Sequence, residues 1–72
     1  MNIAIIGCGT IGAVHAHAAE RAGGRIKVCV SQPLKDARLL AREYGAAATS
    51  NIESALKDPE VDIVLIATPT PT

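Results

Sequence analysis

Three glycines near the N-terminus have the spacing of a phosphate-binding loop. Residues 7–12 read GCGTIG, a G-x-G-x-x-G pattern that follows a short apolar run and opens a helical pattern. In that setting Gly7 allows a tight turn, Gly9 lets a pyrophosphate approach the backbone, and Gly12 lets helix and strand pack closely. The helix N-terminus adds unpaired N–H groups and the positive end of a dipole. The loop therefore predicts a dinucleotide-binding site.

Chance is a poor explanation for this loop. At an ordinary glycine usage of ~7%, three glycines at these offsets arise in roughly one window in three thousand. The simpler structural alternative is a tight strand-to-helix turn, but one glycine is enough for that. The presence of all three favours the dinucleotide interpretation.

The second predicted strand ends without the carboxylate that usually binds the adenosine ribose of NAD. That position, about twenty residues after the loop, falls in residues 31–33, which read SQP. Asp36 lies one turn too late to replace it simply. Gln32 therefore indicates either a neutral hydrogen-bond partner for the ribose or a site that accepts the 2′-phosphate of NADP. Lys35 and Arg38 are nearby cations for such a phosphate, although a solvated helix face is the simpler account of both.

The elements that hold this loop alternate between strand and helix patterns. Apolar runs predict strands at residues 3–6, 26–30, 46–49 and 61–67. Helical spacing, with glycine and proline punctuation, predicts helices at residues 10–22 and 33–44, and a short third helix that opens at residues 50–53 and runs through about residue 57. The order β-α-β-α-β-α-β requires a parallel sheet with right-handed crossovers. We expect a Rossmann-type, doubly wound α/β fold with strand order 3-2-1-4.

Helical periodicity also predicts which side chains face the sheet. In the first helix these are Ile11, Val14, Ala18 and Ala22. In the second helix they are Leu34, Ala37, Leu40, Ala41 and Tyr44. Ser50 and Glu53 have the spacing of a capping box that opens the third helix.

Composition narrows the class of protein and its partners. Seven basic and seven acidic residues balance among 72, so nothing favours nucleic acid or an anionic membrane as a partner. Cys8 and Cys29 lie in apolar runs, which predicts buried, unpaired thiols and a cytoplasmic protein. His15 and His17 diverge by about 200° on a helix, so a shared metal ion is not expected. We expect His15 near the edge of the sheet and His17 at the surface.

Two stretches resemble the Gfo/Idh/MocA oxidoreductases. The first is the apolar run and glycine loop at residues 3–12 together with His15, and the second is DPEVDIVLIATPT at residues 58–70. The glycine loop is shared by many dehydrogenases, whereas the second stretch is much more particular to this family. The resemblance extends over the whole chain.

This resemblance implies an N-terminal Rossmann domain that binds NAD or NADP, joined to a C-terminal α/β domain for a sugar, inositol or other polyol. The residues that match the pyrophosphate loop are Gly7, Gly9, Thr10, Ile11 and Gly12. Those that match the loop beside the middle and nicotinamide end of the cofactor are Thr68, Pro69 and Thr70. At Gln32 the family often has Asp.

The family's catalytic lysine, in a Glu-Lys-Pro motif, has no counterpart here. We therefore expect residues 1–72 to be the N-terminal portion of the Rossmann domain, without catalytic or metal-binding residues, and to bind cofactor at most. Two other functions stay open: an NAD(P)-sensing regulatory module and an inactive fragment of a longer enzyme. We also expect homo-oligomers, because the strand at residues 61–67 needs a neighbour on its far side.

Overall fold

The computed structural model describes residues 1–67, whose four strands form one parallel sheet. The strands are β1 (Asn2–Ile6), β2 (Arg25–Val30), β3 (Ala47–Thr49) and β4 (Ile63–Ile66). The helices are α1 (Thr10–Arg21), α2 (Leu34–Tyr44) and α3 (Ile52–Leu56), and none of these three is long and apolar enough to cross a membrane. The strand order is β3-β2-β1-β4 with every neighbouring pair parallel. The predicted Rossmann-type α/β fold and its strand order 3-2-1-4 are confirmed.

Strand β1 lies in the middle of the sheet and is covered on both faces. Ile3 and Ile5 pack with buried residues of α1 and α2 on one face. Ala4 and Ile6 pack against Ala55 of α3 on the other. A strand that is buried on both faces contains a continuous run of apolar residues, as residues 3–6 do.

Helix α1 packs on the sheet through its smallest residues. Gly12 and Ala16 are buried, and Ala13 and Ala19 are partly buried against the same core. Gly12 brings the helix so close to β1 that only small side chains fit between them. The helix predicted at residues 10–22 is therefore present, but its predicted buried face was wrong, because the four residues expected there are exposed: Ile11, Val14, Ala18 and Ala22.

Helix α2 has the predicted buried face, whereas α3 begins differently from the prediction. The five residues predicted for the buried face of α2 are all buried or partly buried: Leu34, Ala37, Leu40, Ala41 and Tyr44. The N-cap of α3 is Asn51, whose Oδ1 accepts a hydrogen bond of 2.9 Å from the N–H of Glu53. The predicted capping box at Ser50 was wrong by one residue, since Asn51 is an equally good cap.

Strand β2 carries a bulge at Lys27. Ile26 pairs with Ile3 and Val28 pairs with Ala4, so Lys27 has no partner residue on β1. The bulge leaves the lysine free to reach the turn that follows α3, where its Nζ contacts Asp58 Oδ2 at 2.7 Å. Bulges commonly redirect a side chain in this way.

Polar contacts from the DPEVD stretch hold the amino end of β1. The N–H of Asn2 donates to Asp62 Oδ2 at 2.8 Å, and its Nδ2 donates to the carbonyl of Glu60 at 3.0 Å. Asp58 Oδ1 accepts from the N–H of Glu60 at 2.9 Å. Together with the Lys27 ion pair, these contacts align β4 with β1 at the end of the sheet opposite the glycine loop.

Candidate dinucleotide-binding site

The glycine loop leaves the carboxyl end of β1 through a sharp turn. Gly7 has a φ of 92°, in the left-handed region that side chains disfavour. Its N–H donates a hydrogen bond of 2.8 Å to the carbonyl of Val30, at the end of the neighbouring strand β2. The loop is therefore fixed to two strands at once, and its first position requires glycine.

The other two glycines differ in the space around them. A Cβ added to Gly12 would touch the carbonyl oxygen of Gly7 and lie 2.9 Å from its carbon, so helix and loop backbones are in contact there. A Cβ added to Gly9 would meet nothing within 4 Å. Backbone without a side chain, with open space above it, fits the close approach of a pyrophosphate.

The N-terminus of α1 is open to an anion. Gly9 is the N-cap and provides no side-chain hydrogen bond, and the first turn contains no acidic residue. The first hydrogen bond of the helix runs from the N–H of Ala13 to the carbonyl of Gly9 at 3.0 Å. The N–H groups of Thr10, Ile11 and Gly12 therefore precede the hydrogen-bonded ladder of the helix. With the helix dipole, they suit a phosphate group.

A cleft of about 690 Å³ extends along the carboxyl edge of the sheet from the glycine loop to the end of β3. Its size is within the range of roughly 300–1,000 Å³ that small-molecule sites occupy. Open α/β sheets bind ligands at this edge, where the strand order reverses. The lining residues are Ile6, Gly7, Cys8, Gly9, Thr10, Ile11, Val30, Ser31, Gln32, Asp36, Ser50, Ile52 and Ala67.

The structure brings most of the predicted contact residues to this cleft. Those that line it are Gly7, Gly9, Thr10, Ile11 and Gln32. Gly12 is buried beneath the loop and shapes it from below. Three predicted residues lie outside the described range: Thr68, Pro69 and Thr70.

Eight further residues line the cleft that were not predicted to bind there, and four of these come after the ends of β2 and β3. Ser31 and Ser50 come directly after β2 and β3, and this position at the end of a parallel strand is a signal that the sequence contained. Ile52 follows at the start of α3. Asp36 lies in the first turn of α2, and from the sequence it was expected to lie too far along the chain to bind the ribose. It nevertheless lines the cleft, because α2 begins two residues after Gln32.

The two cations considered for a 2′-phosphate are not among the cleft residues. Lys35 and Arg38 line a separate groove between α2 and β3, together with Leu39 and Arg42. Within residues 1–67, the lining of the dinucleotide cleft contains the carboxylate of Asp36 and no lysine, arginine or histidine.

The two cysteines are buried and unpaired with each other, as the sequence predicted. The Cys8 thiol donates a hydrogen bond of 3.3 Å to the carbonyl of Val30. Burial raises the pKa of Cys8, and the charge of Asp36 raises it further. Burial raises the pKa of Cys29 to about 12. Both thiols are therefore protonated near neutral pH, which makes them poor nucleophiles and metal ligands.

Neither histidine takes part in the cleft. His17 is exposed, and His15 borders a different groove, between α1 and the residues Ile63 and Leu65 of β4. Among residues 1–67 no group of three or more His, Cys, Asp or Glu side chains is placed to hold a metal ion. The titratable groups that line the described cleft are Cys8 and Asp36.

The parallel sheet, the glycine loop and the cleft at the switch point define the chain as a Rossmann-type α/β domain. Its family follows from comparison with known proteins. The model of the Gfo/Idh/MocA oxidoreductase family, NAD-binding Rossmann fold, matches residues 1–72. The chain belongs to this family, which confirms the resemblance.

Relatives and solved structures agree with this assignment. The scyllo-inositol 2-dehydrogenase (NAD(+)) of Bacillus subtilis (strain 168) is 40% identical over 75 residues, which cover all of this chain and 22% of that protein. GenD2 from gentamicin A biosynthesis, solved in complex with NAD, superposes with a TM-score of 0.90 at 30% identity, over 96% of this chain and 20% of GenD2. A myo-inositol dehydrogenase from Corynebacterium glutamicum ATCC 13032 superposes with a TM-score of 0.86 at 28% identity, over 96% of this chain and 21% of that protein. The chain spans about a fifth of the length of these proteins.

Proposed function

We propose that the chain is the dinucleotide-binding part of an NAD-dependent oxidoreductase that acts on the CH–OH group of an inositol, a sugar or a related polyol. The observation that carries the proposal is the open backbone above Gly9 at the N-terminus of α1, in a member of this oxidoreductase family. The inositol dehydrogenases among its relatives support the substrate class.

In this proposal each part of the cleft binds one part of the cofactor. The backbone of Gly9, Thr10 and Ile11 holds the pyrophosphate, and Gly7 and Gly12 keep the loop in shape for it. The adenosine ribose lies beside Gln32, where the cleft turns from β2 toward β3. The segment proposed for the middle and nicotinamide end of the cofactor consists of Thr68, Pro69 and Thr70.

Bound NAD supplies the acceptor for a hydride from the substrate carbon. The residues of this chain bind the cofactor and fix its orientation. The cleft lined by residues 1–67 contains no group suited to accept the proton of a substrate hydroxyl, because Cys8 is protonated and Asp36 lies toward the adenosine end. We therefore place the proton acceptor and the polyol pocket outside residues 1–67.

Calorimetric titration of the protein that carries this chain with NAD tests the binding role directly. A panel of inositols and sugars, with NADH formation followed by absorbance, then tests the reaction. We expect saturable NAD binding at one site per chain and reduction of NAD with at least one polyol. An NAD-sensing module would instead bind NAD, leave it unreduced with every polyol, and change its oligomeric state between NAD and NADH. That result would contradict the proposed reaction.

A further inference from the structure

We propose that Asp36 makes the adenosine end of the cleft selective for NAD over NADP, in place of the carboxylate that is missing from the end of β2. The inference rests on the proposed function, because it takes the dinucleotide to lie along the cleft with its adenosine beside Gln32. It concerns only how the site distinguishes the two cofactors.

The position of Asp36 suits a contact with the ribose. It is half-buried in the first turn of α2 and lines the same cleft as Gln32 and the glycine loop. Its N–H donates to the carbonyl of Pro33 at 3.3 Å, which holds this turn directly after residue 32. The hydrogen bonds and ion pairs found in residues 1–67 do not include its side chain. The carboxylate is therefore available to hydroxyl groups of a ligand.

The charges around the cleft favour a ribose diol over a ribose 2′-phosphate. A carboxylate accepts hydrogen bonds from the 2′- and 3′-hydroxyls, and such charge-assisted bonds are the stronger ones. It repels a phosphate group of about −1.5 to −2 charges. The described cleft lining contains no lysine or arginine to offset that repulsion, because Lys35 and Arg38 lie in the groove between α2 and β3.

Asp36 lies close enough to the glycine loop for its charge to affect the thiol of Cys8. Burial is the main cause of the raised pKa of Cys8, and the negative charge of Asp36 adds to it. Cys8 belongs to the glycine loop, and it lines the same cleft as Asp36.

Asp36 has one alternative role, which is purely structural. An acidic residue in the first turn of a helix stabilises it through the helix dipole, typically by about 0.3–1 kcal/mol. That effect changes the stability of α2 and leaves the relative affinity for NAD and NADP unchanged. The ratio of the two dissociation constants therefore separates the two roles.

The test compares Asp36→Asn with Glu43→Gln in the protein that carries this chain. Glu43 is an exposed acid near the other end of α2 and does not line the cleft, so its substitution removes the same charge elsewhere. We expect the parent protein to prefer NAD. In Asp36→Asn we expect NAD binding about tenfold weaker and NADP binding about tenfold tighter. The dissociation constant for NADP divided by that for NAD therefore falls about a hundredfold. In Glu43→Gln the ratio stays within about twofold.

Two further measurements keep the test decisive. If Asp36→Asn does not fold, Asp36→Ser gives the same readout, because serine also removes the charge and has a smaller side chain. Added salt screens the repulsion, so the preference of the parent protein for NAD narrows as ionic strength rises. Normal NAD binding with an unchanged ratio in Asp36→Asn would overturn the inference alone. Failure of the parent protein to bind either dinucleotide would overturn the proposed function itself.

Discussion

Gly9 and Gly12 lie three residues apart in one loop, yet a methyl group has different consequences at the two positions. At Gly12 it would press on the carbonyl of Gly7, which is backbone and cannot move away cheaply. At Gly9 the backbone is extended, with φ −78° and ψ −157°, and a methyl group meets no protein atom within 4 Å. Gly9 therefore leaves space for a ligand, whereas Gly12 is required by the packing of the helix against the loop.

We expect Gly12→Ala to destabilise the fold by about 1–3 kcal/mol, as overpacked cores do. Gly9→Ala should leave the free energy of unfolding within about 0.5 kcal/mol of the parent value, because its methyl group points into open space. It should still weaken NAD binding at least about tenfold, since the methyl group occupies the space proposed for the pyrophosphate. Chemical denaturation and calorimetric titration of both variants check this pair. NAD binding unchanged in Gly9→Ala would place the phosphates elsewhere.

The ion pair between Lys27 and Asp58 predicts a pH dependence of stability. The hydrogen bond from Lys27 holds the pKa of Asp58 below its usual value of 3.8. A carboxyl group whose pKa is lower in the folded state stabilises the fold above the unfolded pKa, and loses this effect as the pH falls through the folded pKa. Asp58→Asn should therefore lower the melting temperature at pH 6, with a difference from the parent protein that shrinks below about pH 4.

Glu53→Gln is the matched control for this pH series. Glu53 pairs with Lys57 at 3.5 Å, but both side chains are more than 70% exposed, whereas those of Lys27 and Asp58 are less than 30% exposed. Exposed pairs of this kind contribute little to stability. The control should differ little from the parent protein at any pH. A gap for Asp58→Asn that stays constant from pH 6 to pH 3 would show that the contact acts through packing and not through charge.

At the scale of the elements, the short distance between α1 and the sheet determines which face of α1 is buried. Ala16 is fully buried between α1 and the strands, whereas Ala18, half a turn further on, is exposed. Ala16→Leu should cost about 1–3 kcal/mol because the added atoms have no space. Ala18→Leu should stay within about 0.5 kcal/mol of the parent protein. Urea unfolding of the two variants checks this, and equal stabilities would mean that α1 lies further from β1 than its small residues indicate.

The same distance explains why the sequence predicted some elements better than others. The strands and α2 were predictable because each carries its own apolar pattern, and the sheet order followed from their alternation with helices. The buried face of α1 was not predictable from periodicity, since Ile11 and Val14 are the larger apolar residues but cannot fit beneath a helix held close by Gly12. Which of Ser50 and Asn51 caps α3 was equally undetermined, because both residue types are good caps.

The candidate site was predictable where it depends on local sequence and not where it depends on helix placement. The glycine loop is a continuous segment whose conformation follows from its own residues. Asp36 reaches the cleft only because α2 begins immediately after Pro33, which sets its first turn beside the end of β2. Residue spacing alone gives no orientation for that turn relative to the sheet.

At the scale of the whole molecule, β4 is an edge of the sheet within residues 1–67 and presents large apolar side chains. Ile66 is 68% exposed and Ile63 is 36% exposed, and β4 pairs only with β1 among the described strands. An apolar edge with unpaired backbone groups is a template for pairing with another chain. The other edge, β3, has only three residues, which makes it a weaker template.

We therefore expect a polypeptide limited to these 72 residues to associate through β4 at micromolar concentrations, and Ile66→Lys to reduce that association strongly. A lysine on an edge strand disfavours pairing because its charge would be buried against the second chain. Leu39→Lys is the control: Leu39 is 60% exposed on α2, beside the opposite edge, and its substitution adds the same charge. Sedimentation velocity of the parent polypeptide and of the two variants measures this association. Association that Leu39→Lys abolishes and Ile66→Lys leaves intact would assign it to the groove between α2 and β3, and a monomeric parent polypeptide would contradict the prediction outright.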